Sequence, residues 1–251
     1  MKSLKQISKK YNTTKKEGDF LKVYEEYLKY FRNKKIKILE IGFTKFSLGM
    51  FRDYFPKSII VGLDIKKQYL KLKNVYTYTG DQTDYKILKK IVSDHKSFDI
   101  VIDDGSHINS HIVTTFRYLF NYLKYQGLYF IEDLQTSYIS KWGGDPYNMN
   151  NKKTTMNFLR SLSDSMHYQE IDNPFYKKNQ FDGKIGYVHI YRNLGIVKKE
   201  KNIYDSNLCF KNSVYLGMIK KRKNFVLLNL RDFKRYLRYL IKHFFYKILV
   251  H

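Results

Sequence analysis

A chain of 251 residues, 43% hydrophobic and 28% charged, is long enough to bury one large core, and three prolines with thirteen glycines exclude a collagenous or disordered composition. Its 47 Lys and Arg against 23 Asp and Glu give a formal charge of +24, a balance that attracts nucleic acid or anionic membrane. Lysine, tyrosine and phenylalanine are all abundant, so composition alone does not choose between those partners. The single cysteine, Cys209, excludes an intrachain disulfide and a thiolate-rich metal site, and fits a reducing compartment.

In chain order, Phe20, Val23, Tyr24, Tyr27, Leu28 and Phe31 recur at helical spacing. KIKILEIGF then reads as a strand, the stretch carrying Leu48, Phe51 and Phe55 as a helix ending near Pro56, and SIIVGLD as a second strand. NVYTYTGD, the helical YKILKKIVSD, the strand FDIVIDD, the helical HIVTTFRYLFNYLK and the strand GLYFIED follow. Short apolar strands alternating with helices predict βαβ units: an α/β class, doubly wound, mostly parallel sheet. A helix from Thr154 to Met166 and an exposed or antiparallel strand around GKIGYVHIY complete this body.

Open α/β sheets bind ligands beyond the carboxyl ends of their strands, which makes acids there informative. Glu40, Asp64, Asp81, Asp103, Asp104, Glu132 and Asp133 all fall at or just past such ends. A single acid there is commonly a helix cap, but a series at successive strand ends is not explained by capping alone. Gly42 follows Glu40 and Ile41, so backbone can approach a ligand, yet the GxGxxG dinucleotide pattern is absent. Glu40 and Asp64 suit an amino group and a ribose diol rather than a pyrophosphate, which favours S-adenosylmethionine (SAM) over NAD or ATP.

Asp104, Glu132 and Asp133 lie on strands one helix apart, and three converging carboxylates repel one another unless a cation intervenes. Oxygen-only ligands favour magnesium, calcium or manganese over zinc. Such an ion lowers the pKa of a bound hydroxyl, and His107, in the loop after Asp104, is placed to take the proton. Lys141, Trp142 and Gly143 follow closely enough to line an acceptor pocket.

The words ILEIG, VGLDI, GDQTD, FDIVIDDGSH and YFIEDLQTSY resemble those of class I SAM-dependent methyltransferases, and more closely the macrocin and mycinamicin type of sugar O-methyltransferase. The resemblance runs from about Tyr11 to Tyr191. It implies a Rossmann-like methyltransferase fold and a magnesium-dependent (or manganese-dependent) methyl transfer from SAM to a sugar hydroxyl, in glycan or glycoside biosynthesis. By matching motifs, Glu40, Gly42 and Asp64 are the amino-acid and ribose contacts, and Asp81 with Gln82 part of the adenosine-side pocket. Asp104, Glu132 and Asp133 fall on the family's metal ligands, His107 on its general base, and Asp103 on a cofactor-side or structural position. The first loop departs from the family in carrying Thr44-Lys45-Phe46-Ser47 where relatives have more glycine. The early YGTDK-like segment departs in having Asp19 where relatives often carry histidine.

Nearly half of the positive excess falls after Asn193. There Phe233, Tyr236, Leu237, Leu240, Ile241, Phe244, Phe245, Ile248 and Leu249 keep three- and four-residue steps between basic positions, which predicts an amphipathic C-terminal helix. Its stripe suits packing on the body, a homo-oligomer contact, or peripheral contact with an anionic membrane surface. The expected division is an N-terminal helical cap over 1–35, a SAM-dependent methyltransferase domain over 36–192 and a basic extension over 193–251. The basic start has no apolar core and no run reaches eighteen apolar residues, so neither a signal peptide nor a spanning helix is expected. The expected setting is cytoplasmic, or peripheral at the inner face of a membrane. The acceptor is a sugar or glycan, either free or linked to a nucleotide, lipid or polymer. The alternatives are an RNA methyltransferase, disfavoured because acids dominate the predicted cleft, and a non-enzymatic binding protein.

Overall fold

The computed structural model describes residues 2–16, 19–68, 70–171, 173, 175–203, 237–238 and 241. They fall into two units, Met1–Tyr168 with Lys178–Ile203, and Gln169–Lys177 with Tyr204–His251. In the second unit Leu237, Arg238 and Ile241 are helical and exposed. The rest of the amphipathic helix expected over 233–249 lies outside the described residues.

The first unit is built on seven strands: β1 (Lys37–Ile41), β2 (Ile59–Asp64), β3 (Val75–Thr79), β4 (Phe98–Asp103), β5 (Leu123–Glu132), β6 (Ile185–Tyr191) and β7 (Leu194–Lys199). Their spatial order is β3-β2-β1-β4-β5-β7-β6. The first five are parallel, β7 runs antiparallel to β5, and β6 antiparallel to β7. This is a mostly parallel, Rossmann-like sheet. The sheet extends past the residue-192 boundary drawn from sequence: β7 fills the gap between β5 and β6, and its LGIVKK merges in sequence with the basic run that follows.

Strand alternation sends neighbouring residues to opposite faces, and both faces are covered. Ile38, Ile60, Ile100, Ile102 and Phe130 pack with α1 (Leu4–Ser8), α2 (Phe20–Leu28) and α3 (Lys45–Tyr54). Leu39, Val61, Val101, Tyr129 and Ile131 face α4 (Tyr85–His95), α5 (Asn109–Leu119) and α6 (Thr155–Met166). Phe116 of α5 is fully buried, with the rings of Tyr129, Phe158, Phe120 and Phe181 at 4.6, 5.1, 5.1 and 5.6 Å. Such a side chain is worth about 3–5 kcal/mol when truncated to alanine.

The register aligns the site. Ile41 pairs with both Leu63 and Asp103, Asp103 with Ile131, and Ile131 with Gly195. One row crosses five strands, so the next residues, Gly42, Asp64, Asp104 and Glu132, form a rim at the carboxyl edge.

Candidate active site at the carboxyl edge of the sheet

One part of the rim is a cleft lined by the turns after β1 to β4, including Gly42, Asp64, Asp81, Gln82, Gly105 and Ser106. Glycine is required at its floor. Gly42 has φ +74°, and a Cβ there would lie 1.9 Å from the Asp104 carbonyl oxygen. A Cβ on Gly105 would lie 2.2 Å from Gln82 Oε1. The cleft is thus walled by backbone, with two carboxylates at its edge. Asp64 Oδ1 accepts the Lys66 backbone N–H at 2.6 Å. Asp81 Oδ1 accepts from the Thr83 backbone N–H and hydroxyl at 2.7 and 2.8 Å, bonds that hold its carboxyl below the usual range. Gln82 is buried and ties the turns together, donating to Asp103 at 3.2 Å and accepting from the Ser106 N–H at 2.7 Å. Asp103 is buried beneath it, and burial pushes its carboxyl up to about 7.

Glu40 lies apart from this cleft, fully buried. Thr44 and Ser47 form a capping box at the start of α3, and the Ser47 hydroxyl donates to Glu40 Oε2 at 2.8 Å. The glycine-poor loop thereby supplies a hydrogen bond to the strand-end acid.

The other part of the rim gathers charge. The Lys15 Nζ sits 2.7 Å from Asp104 Oδ2, 2.5 Å from Glu132 Oε1 and 3.1 Å from Glu40 Oε1. It comes from the one-turn helix Thr14–Lys16 and is only 2% exposed. The Tyr24 hydroxyl of α2 donates to the same Glu132 oxygen at 2.6 Å. Burial alone would lower the Lys15 pKa, but Glu132, Asp104 and Glu40 outweigh it and raise it well above its ordinary value. Burial pushes Glu132 up to about 7, with the Asp104 charge adding to the shift while Lys15 and Tyr24 oppose it. Burial likewise raises Glu40, against the pull of Lys15. The fold supplies Lys15 as a protein cation for these carboxylates.

On the open side, Asp104, His107 and Asp133 bring ligand atoms within 4.8 Å of one another. His107 and Asp133 both have positive φ, +58° and +56°, a conformation uncommon outside glycine. His107 Nε2 lies 3.4 Å from Asp133 Oδ2, and Asp133 Oδ1 accepts from Gln135 Nε2 at 3.0 Å. Asp104 and Asp133 would hold a hard divalent ion through carboxylate oxygens, with the His107 imidazole beside it. One lysine against Glu40, Asp104, Glu132 and the nearby Asp133 leaves an excess of negative charge that a hard divalent cation offsets. Gln135, whose Nε2 donates to Asp133, keeps its own buried Oε1 without a hydrogen-bond partner. The carboxylates of Asp104 and Asp133 therefore suit a hard divalent ion, and the neighbouring cleft offers backbone walls and the carboxylates of Asp64 and Asp81 to a polar ligand.

The loop after β5 is fixed by Asn109, a residue the sequence did not single out. Its buried amide donates to the carbonyls of Thr136 and Trp142 at 3.0 and 2.9 Å, and its oxygen accepts from Ser137 Oγ at 3.2 Å and the Thr155 N–H at 2.6 Å. Trp142 is half-buried, with Lys141 Nζ 5.3 Å from its ring, and Gly143 follows with φ +73°.

No family model matches the chain. It is 36% identical over 189 residues to the mycinamicin VI 2''-O-methyltransferase of Micromonospora griseorubida, covering 71% of this chain and 47% of that protein. It is 35% identical over 189 residues to the demethylmacrocin O-methyltransferase of Streptomyces fradiae, covering 71% and 48%. Among solved structures, MycE methyltransferase from the mycinamycin biosynthetic pathway, in complex with Mg and SAH, matches with a TM-score of 0.79 at 32% identity, covering 87% of this chain and 60% of that one. The chain spans about half the length of the curated relatives it matches.

Proposed function

We propose that this chain, a relative of the macrocin- and mycinamicin-type sugar O-methyltransferases among the class I SAM-dependent methyltransferases, transfers a methyl group from SAM to a sugar hydroxyl with the help of magnesium or manganese. The observation that carries this reading is the juxtaposition of two features: Asp104, His107 and Asp133 within 4.8 Å, and a glycine-walled cleft beside them bearing Asp64 and Asp81. MycE was solved with Mg and SAH, and also with mycinamycin VI, at TM-scores of 0.79 and 0.78 to this chain.

In this reading Asp64 receives the ribose diol, and Gly42, Asp81 and Gln82 shape the nucleoside pocket. Asp104 and Asp133, with Glu132 behind them, hold the cation. When bound, SAM supplies an electrophilic methyl group and the cation lowers the pKa of the acceptor hydroxyl. With SAM bound, the acceptor oxygen would take the methyl group and the carbon–sulfur electron pair would stay on sulfur. His107 receives the hydroxyl proton at Nε2, the nitrogen that faces Asp133. The chain's main contribution is orientation of these groups at a fixed strand edge. Trp142 offers an aromatic face to the sugar from the loop that Asn109 fixes.

The acceptor is a free, nucleotide-linked, lipid-linked or polymeric sugar, in a homo-oligomeric enzyme of the cytoplasm or the inner membrane surface. Among the described residues no helix is long and apolar enough to cross a membrane. RNA is disfavoured because the cluster at the rim is acidic and repels phosphate. Methyl-labelled SAM incubated with glycosides, nucleotide sugars and RNA tests the reading: transfer to a sugar that chelation stops and magnesium restores is expected. Salt-sensitive labelling of RNA alone would overturn it.

A further inference from the structure

We infer that Lys15 is a built-in counter-ion that assembles the carboxylate cluster before a metal arrives and holds down its affinity for divalent cations. The inference rests on reading that cluster as a divalent-cation site, and it assigns Lys15 a positioning role toward the bound ion.

The geometry is specific. A single ammonium meets acids from three strands: Glu40 in β1, Asp104 just past β4 and Glu132 at the end of β5. An ammonium has three protons, and here three carboxylates surround it. Without it, Glu40, Asp104 and Glu132 would face one another in a dry environment, since Glu40 and Glu132 are 0% and 3% exposed. Lys15 therefore keeps the ligands together when no ion is present. Asp104 belongs to both groups, touching Lys15 through Oδ2 and lying with His107 and Asp133 on the open side. A fixed positive charge one ligand away from the ion repels it, and in a buried setting that repulsion is only weakly screened. The result is a site that is shaped in advance yet binds its ion exchangeably.

A residue that serves only to pack the N-terminal segment would not move cation affinity in a direction set by charge. Lys15 should. Manganese binding, read by calorimetry and by the paramagnetic resonance of free Mn2+, separates the two. Lys15→Met removes the repelling charge and should bind Mn2+ at least about tenfold more tightly than wild type. Its melting temperature should fall without metal and recover more steeply than wild type when Mn2+ is added. Lys15→Arg retains the charge and should stay within about threefold of wild type. Glu40→Gln makes the surroundings of Lys15 one charge more positive and should weaken Mn2+ by at least about threefold. Opposite movements in Lys15→Met and Glu40→Gln support the inference. If wild type binds Mn2+ while folded Lys15→Met binds with equal or lower affinity, Lys15 is not a counter-ion in competition with the metal. If Lys15→Met does not fold without metal, Glu40→Gln decides alone, and unchanged or tighter binding overturns the inference. Absence of Mn2+ binding to wild type would overturn the cation reading itself, and this inference with it.

Discussion

Gly42→Ala perturbs the cofactor side of the site by a route that the structure makes quantitative. The residue sits at φ +74°, where a side chain costs about 1–2 kcal/mol. The new Cβ would also lie 1.9 Å from the Asp104 carbonyl oxygen and 2.7 Å from the Gly105 Cα, both backbone atoms without a rotamer to escape into. Restoring van der Waals contact requires a shift of more than about 1 Å between the β1 and β4 turns, an overpacking cost of about 1–3 kcal/mol. The sum, about 2–5 kcal/mol, corresponds to a fall in melting temperature of about 4–20 °C for a domain of this size. The shifted backbone also walls the nucleoside cleft, so affinity for S-adenosylhomocysteine should drop at least about tenfold. Gly143→Ala is the control. It has nearly the same φ, +73°, but nothing within 4 Å of its Cβ, so it should show only the backbone penalty of about 1–2 kcal/mol. Thermal denaturation and calorimetry on both variants make the comparison. A Gly42→Ala protein with the stability of Gly143→Ala and wild-type ligand affinity would refute the close approach of the two turns.

Asp64→Ala should weaken SAM and S-adenosylhomocysteine together by at least about tenfold, because both present the same ribose; unchanged affinity for both by calorimetry would move the ribose elsewhere. His107→Gln should lower methyl transfer by about 10²–10⁴ while Mn2+ still binds, whereas loss of Mn2+ binding would make the imidazole a ligand rather than a base. Lys199 donates to the carbonyls of Phe120, Asn121 and Leu123 at 2.8, 3.1 and 2.7 Å, and burial lowers its pKa from 10.5 to about 8. Between those values the unfolded chain binds the proton and the folded one does not, so this group makes stability rise with pH from about 8 to 10.5, and its cost is fully present below 8. Lys199→Met should remove that part of the slope in denaturation curves taken across this range; an unchanged slope would mean that the three carbonyls keep the ammonium charged.

The parallel core of the sheet was legible because each strand is a short apolar run closed by an acid: ILE, GLD, VID and FIE each mark a carboxyl end. That regularity places Glu40, Asp64, Asp103 and Glu132 at strand ends with no register known; β2, β4 and β5 do end at Asp64, Asp103 and Glu132, while Glu40 lies one residue before the end of β1, and Glu40 and Asp103 are buried. Lys15 left no such trace. Its partners Asp104 and Glu132 lie 89 and 117 residues away in sequence, and a lysine among many in a basic chain carries no periodic signal. The demand for it was visible all the same, since buried acids at adjacent strand ends require a cation, and the reading met that demand with metal alone. Tyr24 was recognised as an apolar face of α2, which it is, but its hydroxyl on Glu132 depends on how the helix lies across the sheet. Asn109 was hidden for the same reason: its four bonds reach a loop and the start of α6. The strand β7 escaped because its partners β5 and β6 are set by topology, while LGIVKK continues without a break into the basic extension.

The central claim is that a divalent cation and a SAM-derived nucleoside occupy neighbouring places on this rim. Crystals of the protein grown with Mn2+ and S-adenosylhomocysteine test it directly, using anomalous scattering at the manganese edge. The account predicts one anomalous peak in contact with Asp104 and Asp133, and nucleoside density in the cleft with the ribose on Asp64. Manganese bound away from Asp104 and Asp133, or S-adenosylhomocysteine bound outside the cleft walled by Gly42 and Gly105, would contradict it.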